Sequence, residues 1–248
     1  MIVDDHGMLV RADGDPAAQR FPTVRTYALA TPAPLGVVWH TTDERGGPGY
    51  AEALARRIQT FRSGVDRPAS WNLLIAKDGA LFQSAPFTLG TWHVGMPGVI
   101  AGRRFPNINH ATNGIELENA GRLRRLGAQA YCWPYYSNPD APGNERKPDP
   151  RCAVPLDRAV ATPEGLFDAF TPAQEASATV VLRALAARYG WTRDVCAYCH
   201  ADFDPERRED PGPIWKRTIL PRVLDRVFGS AAAAAAAATT DAAHGGPR

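Results

Sequence analysis

Two short stretches constrain the fold more than anything else in the chain. Residues 36–40 read Gly-Val-Val-Trp-His, an apolar run closed by an imidazole. Residues 113–118 read Asn-Gly-Ile-Glu-Leu-Glu, apolar alternating with acidic. The first is the pattern of a buried strand that ends on a polar residue. The second has the period of two that puts one face in the core and Glu116 and Glu118 together on the other.

Helical patterns are interspersed with these strands. Ala51, Leu54, Ile58 and Phe61 recur at spacings of three and four, which predicts an amphipathic helix over 50–63 with Gly64 as its stop. Thr171-Pro172-Ala173-Gln174 supplies an N-cap, a proline for the first turn and a capping-box glutamine; Gly190 ends that helix. Ile219, Leu220, Val223, Leu224 and Val227 give a last helix over 213–228. Between the early elements, Asp78-Gly79 separates two apolar runs in 70–84, a hairpin signal. Such alternation predicts an α/β fold: a single domain over 33–228 with a central mixed β-sheet flanked by helices.

Three segments stand outside that pattern. Residues 1–32 read as an N-terminal arm. Residues 119–169 are rich in Pro, Gly, Asn and aromatics without a sustained period, and are expected to be an insertion that packs on the domain or covers a site. Residues 229–248 contain eight consecutive alanines and read as a low-complexity tail.

A length of 248 residues suits one large domain or two small ones, and a formal net charge of +2 gives no electrostatic case for a nucleic-acid partner. No run approaches the roughly 20 apolar residues of a membrane span. The first residues lack a basic segment followed by an apolar one, so the expectation is synthesis without a signal peptide. The protein would then be cytoplasmic, or be released through a pore made by another protein.

Histidine is scarce, with six in the chain, so any imidazole metal site must draw on a short list. His200 and Asp210 flank a turn-rich loop that can fold back on itself, and His40 ends a core strand. Two imidazoles and one carboxylate around zinc leave a fourth position for water, as catalytic zinc sites do. Spacing alone leaves open a strand-end histidine satisfied by a backbone hydrogen bond. Cys196 and Cys199 form a CxxC just before His200; with Cys132 and Cys152 they leave a zinc knuckle, a disulfide or buried thiols open.

Five segments in order carry a resemblance: Val37-Val-Trp-His40; Ser70-Trp-Asn-Leu-Leu-Ile before Lys-Asp-Gly; Thr91-Trp92-His93-Val-Gly95; Asn113-Gly-Ile-Glu116-Leu-Glu118; and His200 with Arg208-Glu-Asp210-Pro-Gly-Pro. Together the chain resembles the zinc-dependent N-acetylmuramoyl-L-alanine amidases of the type 2 family, which also includes the peptidoglycan recognition proteins. The resemblance implies an enzyme that cuts the amide between N-acetylmuramic acid and the L-alanine of the stem peptide. It implies Zn2+ held by His40, His200 and Asp210, with Glu116 as general base. It places Trp71, Trp92 and His93 along the substrate groove, and gives His110 no metal role, leaving it a solvated loop histidine.

Two departures matter. Where the family often has lysine, this chain has Arg208, which keeps the cation for an oxyanion but cannot act as an acid. Only three of the 28 basic residues are lysine, so drift toward arginine also accounts for it. Trp71 stands where several relatives carry a catalytic tyrosine, which leaves base duty to Glu116. The substrate is expected to be peptidoglycan cut in the manner of a phage endolysin. The alternatives are a recycling amidase for soluble anhydro-muropeptides and a module that binds peptidoglycan without cutting it.

Overall fold

The computed structural model describes residues 1–44, 46–60, 69–132 and 153–230. The stop glycine Gly64, Cys152, most of the alanine tail and the middle of the 119–169 segment lie outside the described residues.

A six-stranded mixed sheet forms the centre. In chain order its strands are β1 (Gln19–Arg20), β2 (Gly36–Thr41), β3 (Leu73–Ile75), β4 (Leu81–Gln83), β5 (Thr112–Leu117) and β11 (Tyr198–Cys199). Across the sheet the order is β11-β2-β5-β3-β4-β1. β11, β2, β5 and β3 run parallel, and the 76–80 turn makes β3 and β4 the antiparallel hairpin that Asp78-Gly79 predicts. Gly79 supplies the positive φ that this turn requires.

Both faces of the sheet are covered, which explains the unbroken apolar run in β2. On one face Val37, Trp39, Ile115 and Leu117 pack against α2 (Pro172–Tyr189) and α3 (Leu220–Phe228). On the other, Leu74 and Phe82 pack against α1 (Tyr50–Gln59), and Val38 meets Ile100, Phe105 and Ile108. The capping box of α2 forms as its sequence predicts: Thr171 Oγ1 accepts from the Gln174 amide at 3.1 Å, and Gln174 Oε1 accepts from the Thr171 amide at 3.1 Å. The last helix spans 213–228 as expected but is not regular throughout. A wide turn at Trp215–Ile219 precedes α3, because Pro221 cannot donate to the carbonyl four residues back.

The N-terminal 32 residues are woven into the domain. β1 pairs with β4, Thr26–Ala28 pairs with Leu89–Thr91, and Val3 and Leu9 lie in the main core. The described parts of 119–169 likewise have order that no period announced. They build an antiparallel five-stranded sheet from β6 (Arg122–Leu126), β7 (Gln129–Cys132), β8 (Ala153–Val154), β9 (Ala159–Thr162) and β10 (Gly165–Asp168), in the order β8-β7-β6-β10-β9.

One buried carboxylate fastens this second sheet. Asp168 is fully buried at the end of β10 and accepts from the Ala120 amide at 2.9 Å, from Arg158 Nη2 at 3.0 Å and from Lys77 Nζ at 2.9 Å. Lys77 follows β3 of the central sheet, so the ion pair joins the two sheets. Burial lowers the Lys77 ammonium from its ordinary range, against the pull of Asp168.

Candidate active site

Three neighbouring parallel strands deliver the site. β2 and β5 are paired with His40 opposite Glu116, and β11 pairs with β2 so that His200 follows directly at its end. His40, Glu116 and His200 therefore leave the sheet at the carboxyl ends of its strands, where open α/β sheets hold their ligands. The loop from 203 to 209 folds back because Asp204 binds the Arg207 and Arg208 amides through its carbonyl, at 3.2 and 2.9 Å. The Ala201 amide then meets the Asp210 carbonyl at 3.1 Å, which returns the Asp210 carboxylate to His200.

The three side chains converge on one point. His40 Nδ1 lies 3.1 Å from His200 Nδ1 and 3.3 Å from Asp210 Oδ2, and His200 Nδ1 lies 3.1 Å from the same oxygen. All three residues are buried. Ligand atoms about 2.0–2.1 Å from a tetrahedral zinc stand about 3.3 Å from one another, so this triangle has the size of one face of such a site. Asp210 Oδ1 is buried with no hydrogen-bond partner among the described residues, which a cation would also relieve. The donor set fits zinc in number, type and spacing. Among the described residues this is the one group of His, Cys, Asp and Glu that could hold a metal.

Electrostatics agree with ligation. Burial pushes His40 down to about 4, so its ring is neutral at neutral pH, as a ligand must be. Burial would raise Asp210, but the adjoining His200 and His40 rings outweigh it and hold the carboxyl below its usual range. Glu116 is pushed well above the usual carboxylate range, by burial first and then by the Asp210 and Asp43 carboxylates.

A groove of about 470 Å³ opens over the cluster, lined by Trp71, Trp92, His93, Glu116 and Arg208 among others. Trp92 is 44% exposed and packs edge-on against Tyr27. Trp71 is mostly buried in the α1 cluster, yet its indole N–H has no partner among the described residues. Arg208 is exposed and reaches the groove from the returning loop. His93 Nδ1 lies 3.1 Å from His40 Nε2, and His93 Nε2 lies 3.3 Å from Thr112 Oγ1. Both its nitrogens thus face protein partners.

Glu118 does not share a site with Glu116. Its carboxylate accepts from the Gly47 and Lys77 amides, both at 2.9 Å, and is buried: a loop anchor. His110 is half-buried against the Tyr27 ring at 4.9 Å rather than solvated. Cys196 and Cys199 are buried free thiols outside the metal cluster, and burial raises both.

Sequence reasoning missed Asp43. It lines the groove with a positive φ of 51°, accepts from Thr41 Oγ1 at 2.8 Å, and is raised to about 7 by burial and by Asp210. Its place in the loop just after β2, at the carboxyl end, was the available signal.

A groove floored by two imidazoles at parallel strand ends and a carboxylate returned to them by a loop has the layout of a mononuclear metallohydrolase. The profile of the N-acetylmuramoyl-L-alanine amidase family matches residues 30–213, and the chain belongs to that family of peptidoglycan amidases. The fold is similar to that of a selenomethionine derivative of AmpD, with 23% identity over 90% of this chain and 99% of that one and a TM-score of 0.54. Further similar structures are the Escherichia coli amidase AmiD in complex with anhydro-N-acetylmuramic acid-L-Ala-D-gamma-Glu-L-Lys (21% identity, 82% and 62% covered, TM-score 0.47) and the catalytic domain of XlyA (17% identity, 86% and 94% covered, TM-score 0.47). No curated protein matches the chain. No helix among the described residues is long and apolar enough to cross a membrane.

Proposed function

We propose that this amidase is a zinc enzyme in which His40, His200 and Asp210 hold the ion and Glu116 is the general base, acting on the lactyl–L-alanine amide of polymeric peptidoglycan. The observation that carries the reading is the triangle of donor atoms at 3.1, 3.1 and 3.3 Å with Glu116 in register beside it. When bound, such an ion supplies Lewis acidity toward a carbonyl and an acidified water.

The chain's own residues do the rest. Glu116, held above the usual carboxylate range, takes the proton of the attacking water and passes it to the leaving L-alanine amine. Arg208 faces the charge that develops on the carbonyl oxygen. Trp92 offers an exposed aromatic face to the glycan or lactyl group, and the unpartnered Trp71 N–H offers a donor to a substrate oxygen. Ala120 and Arg122, next to and within the second sheet, extend the groove wall, which favours a polymer over a soluble anhydro-muropeptide.

Release of dye from labelled peptidoglycan tests this. Dialysis against EDTA should abolish release, and one equivalent of zinc should restore it; equal release after dialysis would sink the metal reading. Faster turnover of soluble anhydro-muropeptide than of intact sacculi would overturn the polymer assignment.

A further inference from the structure

We infer that His93 is a positioning residue for the metal site: it accepts the Nε2–H of His40, in a chain of hydrogen bonds that ends on Thr112 and the carbonyl of Ile108. The inference rests on the proposed metal reading and adds to it a residue behind the ligands.

The direction of every bond follows from the far end. The Thr112 hydroxyl has one hydrogen and gives it to the Ile108 carbonyl at 2.8 Å. Toward His93 Nε2, 3.3 Å away, that oxygen can therefore only accept, so His93 carries its hydrogen on Nε2. A neutral His93 ring then presents a bare Nδ1 to His40 Nε2 at 3.1 Å, and His40 must be the donor. That leaves His40 Nδ1 bare, 3.3 Å from the Asp210 carboxylate and 3.1 Å from His200 Nδ1. Lone pairs facing one another at that distance, with no hydrogen between His40 and Asp210, call for a cation. The polypeptide thus prepares the His40 tautomer from a carbonyl three hydrogen bonds away, and the rings of His40 and His93 cross at 88° to do it.

Gly114 shows that the arrangement is built. It lies inside β5, where glycine weakens a strand unless another group comes close. A Cβ there would stand 2.8 Å from His93 Cγ and 2.9 Å from His93 Cβ. The strand omits a side chain at the place where the His93 ring sits.

Metal-binding ligands lose about tenfold to a hundredfold in affinity when such an outer partner is removed. Zinc affinity, measured by competition with a chromophoric chelator, should fall by about that factor in His93→Phe. It should recover most of the way in His93→Asn, whose Oδ1 can accept where Nδ1 did, and fall less in Thr112→Val. Long-range proton–nitrogen NMR of the wild-type protein should show His40 and His93 both protonated on Nε2. Wild-type zinc affinity in a folded His93→Phe, or a His93 proton on Nδ1, overturns the inference alone. Wild-type protein that takes up no zinc overturns the metal reading and the inference with it.

Discussion

The two sheets divide the labour unequally. The central sheet carries His40, Glu116 and, at the end of β11, His200, all leaving from one end of parallel strands. The five-stranded sheet adds Arg122 to the groove wall and is otherwise concerned with its own attachment through Asp168. Chemistry is concentrated where strand register fixes side chains to within ångströms; attachment is left to ion pairs. Substitutions in the two regions should therefore separate into those that stop turnover and those that only loosen the fold.

The largest effect is expected at the proposed metal ligands. Asp210→Ala removes one donor of three, and losing the ion would cost several kcal/mol of transition-state stabilisation, roughly a thousandfold in kcat. Metal content of the purified variant, read by mass spectrometry beside peptidoglycan dye release, checks it. Full activity with bound zinc would break the division of labour at its root.

Glu116→Gln should lower kcat by about a hundredfold or more while zinc stays bound. It should also stabilise the metal-free protein at neutral pH. The folded state raises Glu116 above its unfolded value, so between the ordinary carboxylate range and that raised value the folded chain holds a proton that the unfolded chain has released. Stability therefore falls as pH rises through that window, and glutamine removes the slope. Thermal melts of both metal-free proteins across pH 4–8 read this directly; a destabilised Gln variant at pH 7 would contradict the assignment.

These two predictions concern residues that were legible in the sequence, and the reason is physical. A strand that must be buried on both faces can be apolar only, so His40 after Val-Val-Trp stands out as a residue that burial does not explain. Glu116 stood out through the period of two in its strand and Asp210 through the turn-rich loop it flanks with His200, their roles coming from the resemblance, and the α2 cap was legible because a capping box is local. What escaped was non-local. Strands β6 to β10 pair with one another in an antiparallel sheet whose Arg-rich β6 has no apolar period, so only tertiary pairing reveals it. Asp168 gives no local sign of its partner Lys77, far away in sequence. Glu118 was placed beside Glu116 by alternation, but β5 ends at Leu117, and past the strand the period of two no longer holds.

The second sheet should answer differently. Asp168→Ala leaves the half-buried Lys77 ammonium and Arg158 without their shared, fully buried carboxylate, a change that costs up to about 3–5 kcal/mol. For a domain of this size that is a drop in Tm of about 10 °C. Activity at a temperature where the variant remains folded should stay within a few-fold of wild type. A kcat loss comparable to that of Glu116→Gln, with the fold intact, would mean that the second sheet shapes the reacting groups and not only the wall.

Arg122 is the finest test, because it belongs to one sheet and touches the other's site. Its guanidinium grips Glu209 through Nε at 2.7 Å and Nη2 at 2.6 Å, and Glu209 is the neighbour of the proposed ligand Asp210. The fork is partly exposed, and such pairs contribute about 0–1 kcal/mol. Arg122 also stacks over Phe167 at 4.8 Å, so its loss removes packing within the second sheet. If the pair merely closes the groove wall, Arg122→Ala should raise KM for peptidoglycan by a few-fold and leave kcat and zinc affinity unchanged. If it holds the returning loop, zinc affinity should fall along with kcat. The backbone bonds from Asp204 to Arg207 and Arg208, and from Ala201 to Asp210, already fix that loop without it. The first outcome is therefore the expected one, and titration of zinc into both proteins distinguishes them.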